Sequence, residues 1–251
     1  MTAQPPSESG SCFFERNPNL ELSRRAFVEG VGTLLLMLII TAAGLTAQRL
    51  SAGNNQLVLL VSALATSGAL VGLILAFGSV SGGHFNPLIT VLQWLAGDRK
   101  LNCTIAYVFA QFAGGILGAL IASRLLDSGG HTPSSLTLNS TLVFSEILAA
   151  TGLMIVVFGC SRSGLSLTGP FAVGAWLVSA ILAFPSASYA NPAIAVSALF
   201  ATGPVGLTWD IASVYVPAQI GGALVALLVV SVAFPRPAQL GGSARYEETL
   251  K

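Results

Sequence analysis

Six long apolar stretches constrain this sequence more than any other feature. Each has roughly the 20 residues that an α-helix needs to cross a bilayer. They cover residues 26–47, 57–77, 104–126, 138–160, 168–184 and 209–234. Apolar residues make up 53% of the chain and charged residues only 8%, and a soluble protein of this size could not bury six such helices. The sequence therefore predicts an all-α membrane protein with six transmembrane helices.

Two further apolar stretches, residues 86–95 and 191–201, are only about half as long as a span. Both open on an asparagine followed by a proline, and the motifs read Asn86, Pro87, Leu88 and Asn191, Pro192, Ala193. Asparagine caps helix amino termini, and proline is favoured in the first helical turn. One such dipeptide indicates only a turn or a helix start. Two of them in half-length stretches predict pore half-helices that enter the membrane without crossing it.

The two halves of the chain share landmarks in the same order. Glu29 and Glu146 open the first helix of each half, an Asn-Pro motif follows, and Gln111 and Gln219 precede glycines in the last helix. Three spans in each half predict an inverted repeat, with repeats over about 23–126 and 138–235 of a channel domain 23–235. We interpret 1–22 and 236–251 as cytoplasmic tails. Recurring glycines predict close helix packing: Gly68, Gly72, Gly114, Gly115, Gly118, Gly221 and Gly222.

Basic residues predict the orientation, because they concentrate on the cytoplasmic side of a membrane protein. With both termini in the cytoplasm, the inner side carries Arg16, Arg24, Arg25, Arg99, Lys100, Arg162, Arg236, Arg245 and Lys251. The outer side then carries only Arg49 and Arg124. The distribution favours an integral membrane protein with both termini inside.

The half-helices would point their positive amino ends at each other near the midplane. Exposed backbone is tolerated there only where it lines a cavity. Asn86 and Asn191 would offer amide donors to a passing solute, and the loops before them would offer carbonyl acceptors. The expected acceptor residues are Gly82, Gly83, His84, Ala187, Ser188 and Tyr189. This arrangement predicts a pore that passes neutral polar solutes and opposes cations.

Glu29 and Glu146 are ionisable residues inside predicted spans, where a charge is costly and usually partnered or functional. We expect both to support the loops by accepting hydrogen bonds from backbone amides near each Asn-Pro motif. A role in proton coupling is the alternative.

The segment 81–90 resembles the first-loop signature of the aquaporin (major intrinsic protein) family, with Leu88 where that family usually has alanine. The segment 189–193 resembles the second signature, and the resemblance covers about residues 24–234. It implies an hourglass-shaped monomer with its own pore for water and small neutral solutes, usually a homotetramer in the lipid membrane. It also implies a structural role for His84, which could alternatively sense pH because histidine titrates near neutrality.

The sequence departs from that family at the outer selectivity filter. Most relatives carry arginine directly after the second Asn-Pro-Ala, where this chain has Ile194. The resemblance assigns the other filter positions to Thr66, Ser188 and, in the fifth helix, Ile181 or alternatively Ser179. None of these residues is aromatic, so we expect a wider and more apolar filter that also passes glycerol, urea or undissociated metalloid acids such as arsenous acid.

Ala195 stands where the aquaglyceroporin branch carries aspartate, so this chain is not a plain member of that branch. It is more similar to bacterial aquaporins that lack the filter arginine, some of them associated with arsenic. The resemblance therefore implies a bacterial inner membrane.

Two other functions remain open at this point. Broken helices in an inverted repeat also occur in secondary transporters, and Leu88, Ile194 and Phe200 could form a dry constriction in a closed, structural protein. No enzyme, cofactor or metal site is predicted, because catalytic groupings and metal-ligand spacings are absent from the sequence. A net charge of +1 offers no surface for nucleic acid. We expect Cys12, Cys103 and Cys160 to be free thiols.

Overall fold

The computed structural model describes residues 20–126, 137–165 and 167–234 of the chain. Cys12 and most of both predicted tails lie outside these ranges. Within them the chain forms eight α-helices and no strand. The helices are α1 (Leu22–Leu50), α2 (Asn55–Ser81), α3 (Pro87–Leu95), α4 (Leu101–Leu125), α5 (Ser140–Arg162), α6 (Gly169–Ala183), α7 (Pro192–Ser197) and α8 (Trp209–Ala233). A 3-10 turn, Ala198–Phe200, extends α7, and another, Gly203–Val205, follows it.

Five helices, namely α1, α2, α4, α5 and α8, are long and apolar enough to cross a membrane. The remaining span, α6, is the fifth along the chain; it has only 15 residues and is about 22 Å long. It ends early because Phe184 takes an extended conformation in front of Pro185, and a residue before proline is disfavoured in a helix. The chain continues into the loop 184–191 instead. The predicted all-α membrane fold is confirmed, with one span shorter than the others.

The most extensive helix contacts are α1 against α4 and α5 against α8, one pair in each half of the chain. Glycine permits both contacts at equivalent places. A Cβ added at Gly114 would lie 2.0 Å from the carbonyl oxygen of Gly30, and one at Gly222 would lie 2.3 Å from that of Ile147. Gly30 and Ile147 each follow one of the two buried glutamates. Close backbone approach through glycine is the usual way for helices to associate in lipid.

The glycine prediction was only partly right. Gly115 and Gly118 also lie in close contacts, since an added Cβ would lie 2.3 Å from the Ser197 hydroxyl and 2.2 Å from the Leu34 carbonyl oxygen, respectively. By contrast, a Cβ at Gly68, Gly72 or Gly221 would meet no atom within 4 Å. These three glycines therefore do not pack closely against another part of the described chain.

Arginines close the ends of both helix pairs. Arg49, near the end of α1, donates to the carbonyl of Leu126 at the end of α4. Arg162, at the end of α5, donates to the carbonyl of Phe234 after α8 at 2.8 Å. A cation at a helix carboxyl end satisfies carbonyls that have no partner within the helix and interacts favourably with the helix dipole. Arg49 and Arg162 consequently mark opposite ends of the bundle.

The contact between α5 and α8 can be tested with two adjacent glycines. Gly222→Ala forces the helices apart, and such overpacking costs about 1–3 kcal/mol. We expect a lower unfolding temperature of the purified protein in detergent, measured by intrinsic fluorescence. Gly221→Ala is the matched control, because its Cβ meets nothing within 4 Å. Equal unfolding temperatures for the two variants would contradict this account of the helix contact.

Candidate functional site

The two asparagines of the Asn-Pro motifs cap the two half-helices. The side-chain oxygen of Asn86 accepts from the backbone N–H of Leu88 at 2.9 Å, and that of Asn191 accepts from Ala193 at 3.0 Å. Both asparagines have extended backbones, and the prolines after them occupy the first helical position. This is the local arrangement that asparagine followed by proline favours at a helix start.

The same asparagines join the two half-helices to each other. The Asn86 Nδ2 donates to the carbonyl oxygen of Ala190 at 2.9 Å, and the Asn191 Nδ2 donates to that of Phe85 at 2.8 Å. Each amide thus bonds to the residue that precedes the other asparagine. Because an amide nitrogen carries two hydrogens, each asparagine keeps a second N–H, and both residues line a cavity.

Glu29 is fully buried in α1 and accepts hydrogen bonds from four groups. The backbone N–H groups of His84 and Phe85 lie 3.0 and 2.7 Å from its carboxylate oxygens. The Ser81 hydroxyl donates at 2.6 Å, and the Gln111 side-chain amide donates at 2.8 Å. A buried carboxylate is stable only when its oxygens accept such bonds. This one ties the first loop to helices α1 and α4.

Glu146, in α5, makes the equivalent contacts in the second half. The backbone N–H groups of Tyr189 and Ala190 donate to its carboxylate at 2.9 Å each, and Gln219 donates at 2.6 Å. The Ser186 side chain completes the set. Ser81 and Ser186 each lie five residues before an asparagine, so the two loops repeat residue by residue. The sequence analysis missed these serines, although their equal spacing from the asparagines was a usable signal.

Both loops have a strained backbone. Phe85, Ala187, Ser188 and Ala190 have φ angles of 46°, 58°, 51° and 44°, in the left-handed region. For residues other than glycine this conformation costs about 1–2 kcal/mol each. Phe85 and Ala190 each donate their N–H to one of the glutamates, and each gives its carbonyl to one of the asparagines. These bonds stabilise a loop shape that the chain would not adopt alone.

Pairs of aromatic rings pack behind both loops. His84 lies edge-on to Tyr107 with ring centroids 5.6 Å apart, and its Nδ1 lies 2.8 Å from the Thr90 hydroxyl. In the second half Tyr189 lies 5.7 Å from Tyr215. Tyr107 lies four residues before Gln111, and Tyr215 lies four residues before Gln219. The sequence analysis missed these tyrosines as well.

A cavity of about 580 Å³ runs past both asparagines. It follows α2 from Asn55 to Ile74, a distance of about 28 Å at 1.5 Å per residue, which is close to the thickness of the bilayer hydrocarbon. We call the end lined by Gln48 and Asn55 the Asn55 mouth, and the end lined by Gln93 and Ser161 the Gln93 mouth. The cavity therefore extends between the two ends of the bundle.

The cavity lining combines apolar and polar residues. Helices α2, α5 and α6 contribute an apolar surface, formed chiefly by Val58, Leu70, Leu153, Val157, Val173 and Leu177, and α2 also contributes the hydroxyls of Ser62 and Thr66. Further polar groups belong to the two asparagines and to all of the loop residues expected to offer carbonyls, namely Gly82, Gly83, His84, Ala187, Ser188 and Tyr189. A solute in this cavity would meet both apolar surface and hydrogen-bonding groups.

The four expected filter residues, Thr66, Ile181, Ser188 and Ile194, line this same cavity. Two residues were considered in the fifth span, which is α6. Of these, Ser179 is exposed and donates to the Ala175 carbonyl, away from the cavity. Leu88 is buried in the core, and neither it nor Phe200 lines the cavity. The remaining motif residues, Pro87, Pro192 and Ala193, form helix starts outside the lining.

Other chemistry is not apparent at this site. Within residues 20–126, 137–165 and 167–234, no group of three or more histidine, cysteine, aspartate or glutamate residues is arranged to hold a metal ion. Cys103 and Cys160 are free thiols.

Comparison with known proteins agrees with this geometry. Residues 17–188 match the family described as Major intrinsic protein. The aquaglyceroporin AqpS of Rhizobium meliloti (strain 1021) is 31% identical over 211 residues, covering 84% of this chain and 90% of the relative. Aquaporin TIP1-2 of Musa acuminata is 28% identical over 225 residues, covering 84% and 86%. The X-ray structure of the aquaglyceroporin from Plasmodium falciparum has the same fold, with a TM-score of 0.67 at 19% identity over 84% of this chain and 96% of that one.

The fold and the cavity define an integral membrane channel. The match to the family covers well over half of the chain, and the chain therefore belongs to the major intrinsic protein family, the family of the aquaporins. Its members are channels for water and small solutes and not enzymes. The second Asn-Pro motif lies just beyond the matched segment, although its geometry repeats that of the first.

The loop contacts of Glu146 predict the effect of removing its charge. In Glu146→Gln an NH₂ group faces an N–H donor in either amide orientation, and leaving buried donors unpaired costs about 1–3 kcal/mol. We expect a lower unfolding temperature and reduced solute flux in reconstituted vesicles, because the second loop loses its anchor. The same substitution at exposed Glu21 should change neither quantity. Full flux and unchanged stability in Glu146→Gln would show that the loop does not depend on the carboxylate.

Proposed function

We propose that this protein is a passive channel that conducts water and neutral solutes larger than water, such as glycerol, urea and undissociated arsenous acid. The observation that supports this proposal most directly is the lining at the filter. Thr66, Ile181, Ser188 and Ile194 border one cavity, and none of them is aromatic or charged. A filter without bulky rings or a fixed cation leaves room for a larger neutral solute.

Ile194 is the residue on which solute selection chiefly depends. It lies in the first turn of α7, and its backbone N–H lies 3.4 Å from the Asn191 side-chain oxygen. Its side chain borders the cavity and is only 4% exposed. Arginine at this position would add several donors and a permanent positive charge. Isoleucine instead offers an apolar surface, which suits the carbon backbone of a polyol.

The mixed apolar and polar lining of the cavity supports small solutes that carry both apolar and polar groups. Such a solute can face α2, α5 and α6 with its apolar side while its hydroxyls bond to the loops and asparagines. The name of the relative AqpS, an aquaglyceroporin, is consistent with this class of solute. Ala195, in place of the aspartate of the aquaglyceroporin branch, and the absence of the filter arginine favour metalloid acids as further solutes.

Passive conduction accounts for the buried charges better than ion-coupled transport does. A coupling ion would need free carboxylate oxygens near the broken helices. Glu29 and Glu146 already accept bonds from the loops and from Gln111 and Gln219. We therefore assign both glutamates to loop support, and we assign His84, packed against Tyr107, to the same structural role.

A closed structural protein is disfavoured by the position of two residues. The dry constriction considered above needs Leu88, Ile194 and Phe200 together in the lumen. Only Ile194 borders the cavity, because Leu88 packs in the core and Phe200 lies in the 3-10 turn beyond α7.

The filter proposal predicts a change in selectivity for Ile194→Arg. The larger side chain and its charge should lower glycerol and arsenous acid flux by about tenfold, with a smaller effect on water. Stopped-flow swelling of vesicles containing the full chain, with water, glycerol, urea and arsenous acid in parallel, measures this ratio. Ile194→Met is the matched control, because it has a long side chain without charge. Unchanged glycerol flux in Ile194→Arg would overturn the filter assignment.

We also propose a homotetramer in a bacterial inner membrane, with both termini in the cytoplasm. Gly68 and Gly72 support the tetramer. They are exposed on α2, four residues apart, and meet no atom of the described chain within 4 Å. Two small residues at this spacing are a common contact between helices in lipid. Arg99, Lys100 and Arg162 at one end of the bundle support a cytoplasmic location for that end.

Bulky side chains on this surface should weaken the assembly. We expect Gly68→Leu with Gly72→Leu to shift the purified protein from tetramer towards monomer in native mass spectrometry, while the monomer fold is retained. Gly221→Leu on α8 is the control, since a Cβ there also meets no atom of the described chain within 4 Å. A tetramer that survives the double substitution would place the subunit contact on another surface.

A further inference from the structure

Arg99 is held in one position at the Gln93 mouth. Its Nε donates to the side-chain oxygen of Gln93 at 3.0 Å, and its Nη1 lies 2.9 Å from the sulfur of Cys103. The guanidinium carbon also lies 4.7 Å from the ring centroid of Tyr107, a cation–π distance. Contacts with three side chains leave this cation little freedom, in contrast to a surface arginine in water.

Arg99 is also close to the lumen. Gln93, to which its guanidinium bonds, lines the cavity. Tyr107, on which it stacks, packs against His84, and His84 lines the cavity too. The positive charge is therefore separated from the lumen by a single side chain at Gln93.

The neighbouring charges differ from Arg99 in their exposure. Asp98 and Lys100 are exposed, whereas Arg99 is partly buried. Salt screens exposed charges strongly and partly buried charges much less. Arg99 should therefore contribute more to the potential inside the mouth than either of its neighbours.

At the other end of the cavity the filter position corresponding to an arginine is Ile194, which carries no charge. Arg49, near the Asn55 mouth, points a donor at the Leu126 carbonyl and does not line the cavity. The positive ends of α3 and α7 act at the centre. No described arginine or lysine lines the cavity, and Arg99 is bonded to the lining residue Gln93.

We propose that Arg99 is a specificity-determining residue that repels cations at the Gln93 mouth and so supplies the fixed positive charge that Ile194 cannot. A cation that approaches this mouth meets the guanidinium field before it reaches the half-helices, whereas a neutral solute is unaffected by that field. This inference rests on the open pore of the proposed function.

The test compares two fluxes in the same vesicles containing the full chain. Potassium efflux is measured with an ion-selective electrode, and glycerol entry by stopped-flow swelling. Arg99→Gln should raise the ratio of potassium efflux to glycerol flux by about tenfold, and Arg99→Lys should raise it less because the charge is kept. Gln93→Glu, which sets a carboxylate beside the guanidinium, should raise the ratio without removing Arg99.

Lys100→Gln is the matched control, because it removes an adjacent positive charge that is exposed to solvent. Its ratio should equal that of the original protein. Suppose that Arg99→Gln and Gln93→Glu both keep normal glycerol flux and an unchanged ratio of potassium efflux to glycerol flux. That result overturns the role of Arg99 and leaves the open pore standing. Absence of glycerol flux in the original protein overturns the open pore and this inference with it.

Discussion

The hydrogen bonds from loop backbone to the two buried carboxylates are the interactions on which the rest of this structure depends. Glu29 and Glu146 each accept two consecutive backbone N–H groups and one glutamine amide. The loops can therefore keep a left-handed backbone at Phe85 and Ala190, whose carbonyls then meet the asparagines of the opposite loop. Without these bonds, the loop backbone next to α3 and α7 would be left unpaired in the middle of a bilayer, where unpaired backbone groups cost much free energy.

The inverted repeat makes the supports of the two loops equivalent. The two ends of the cavity, by contrast, differ from each other. The same carboxylate, serine, glutamine and tyrosine recur behind each loop, so the frame is duplicated with little change. The residues that face solutes differ between halves. Ile194 lines the cavity with an apolar side chain, and at the opposite mouth Arg99 donates to the lining residue Gln93. We therefore expect solute selectivity to depend on the positions at which the two halves carry different residues, because the residues that hold the loops cannot change without loss of the pore.

Much of this could be predicted from the sequence, because lipid restricts the possible structures. Apolar length identified the spans, and Asn-Pro in half-length stretches indicated the half-helices, whose helical parts begin at Pro87 and Pro192. Glycine was a weaker guide. Gly114 and Gly222 lie against backbone carbonyls, yet Gly68 has open space beside it, since the sequence does not reveal which face of a helix meets its neighbour. The shortest predicted stretch, residues 168–184, corresponds to the short α6, Gly169–Ala183, which ends in front of Pro185.

The sequence by itself determined that this chain must reside in a membrane, that its halves are inverted, and which residues begin the half-helices. These properties follow from apolar length and from local backbone preferences, which act between near neighbours. Only the tertiary structure decided which donors each glutamate accepts, that Asn86 and Asn191 bond across the two loops, and that Arg99 lies beside a lining residue. Such contacts join residues far apart in the chain, and their geometry is set by how closely α1 packs on α4 and α5 on α8.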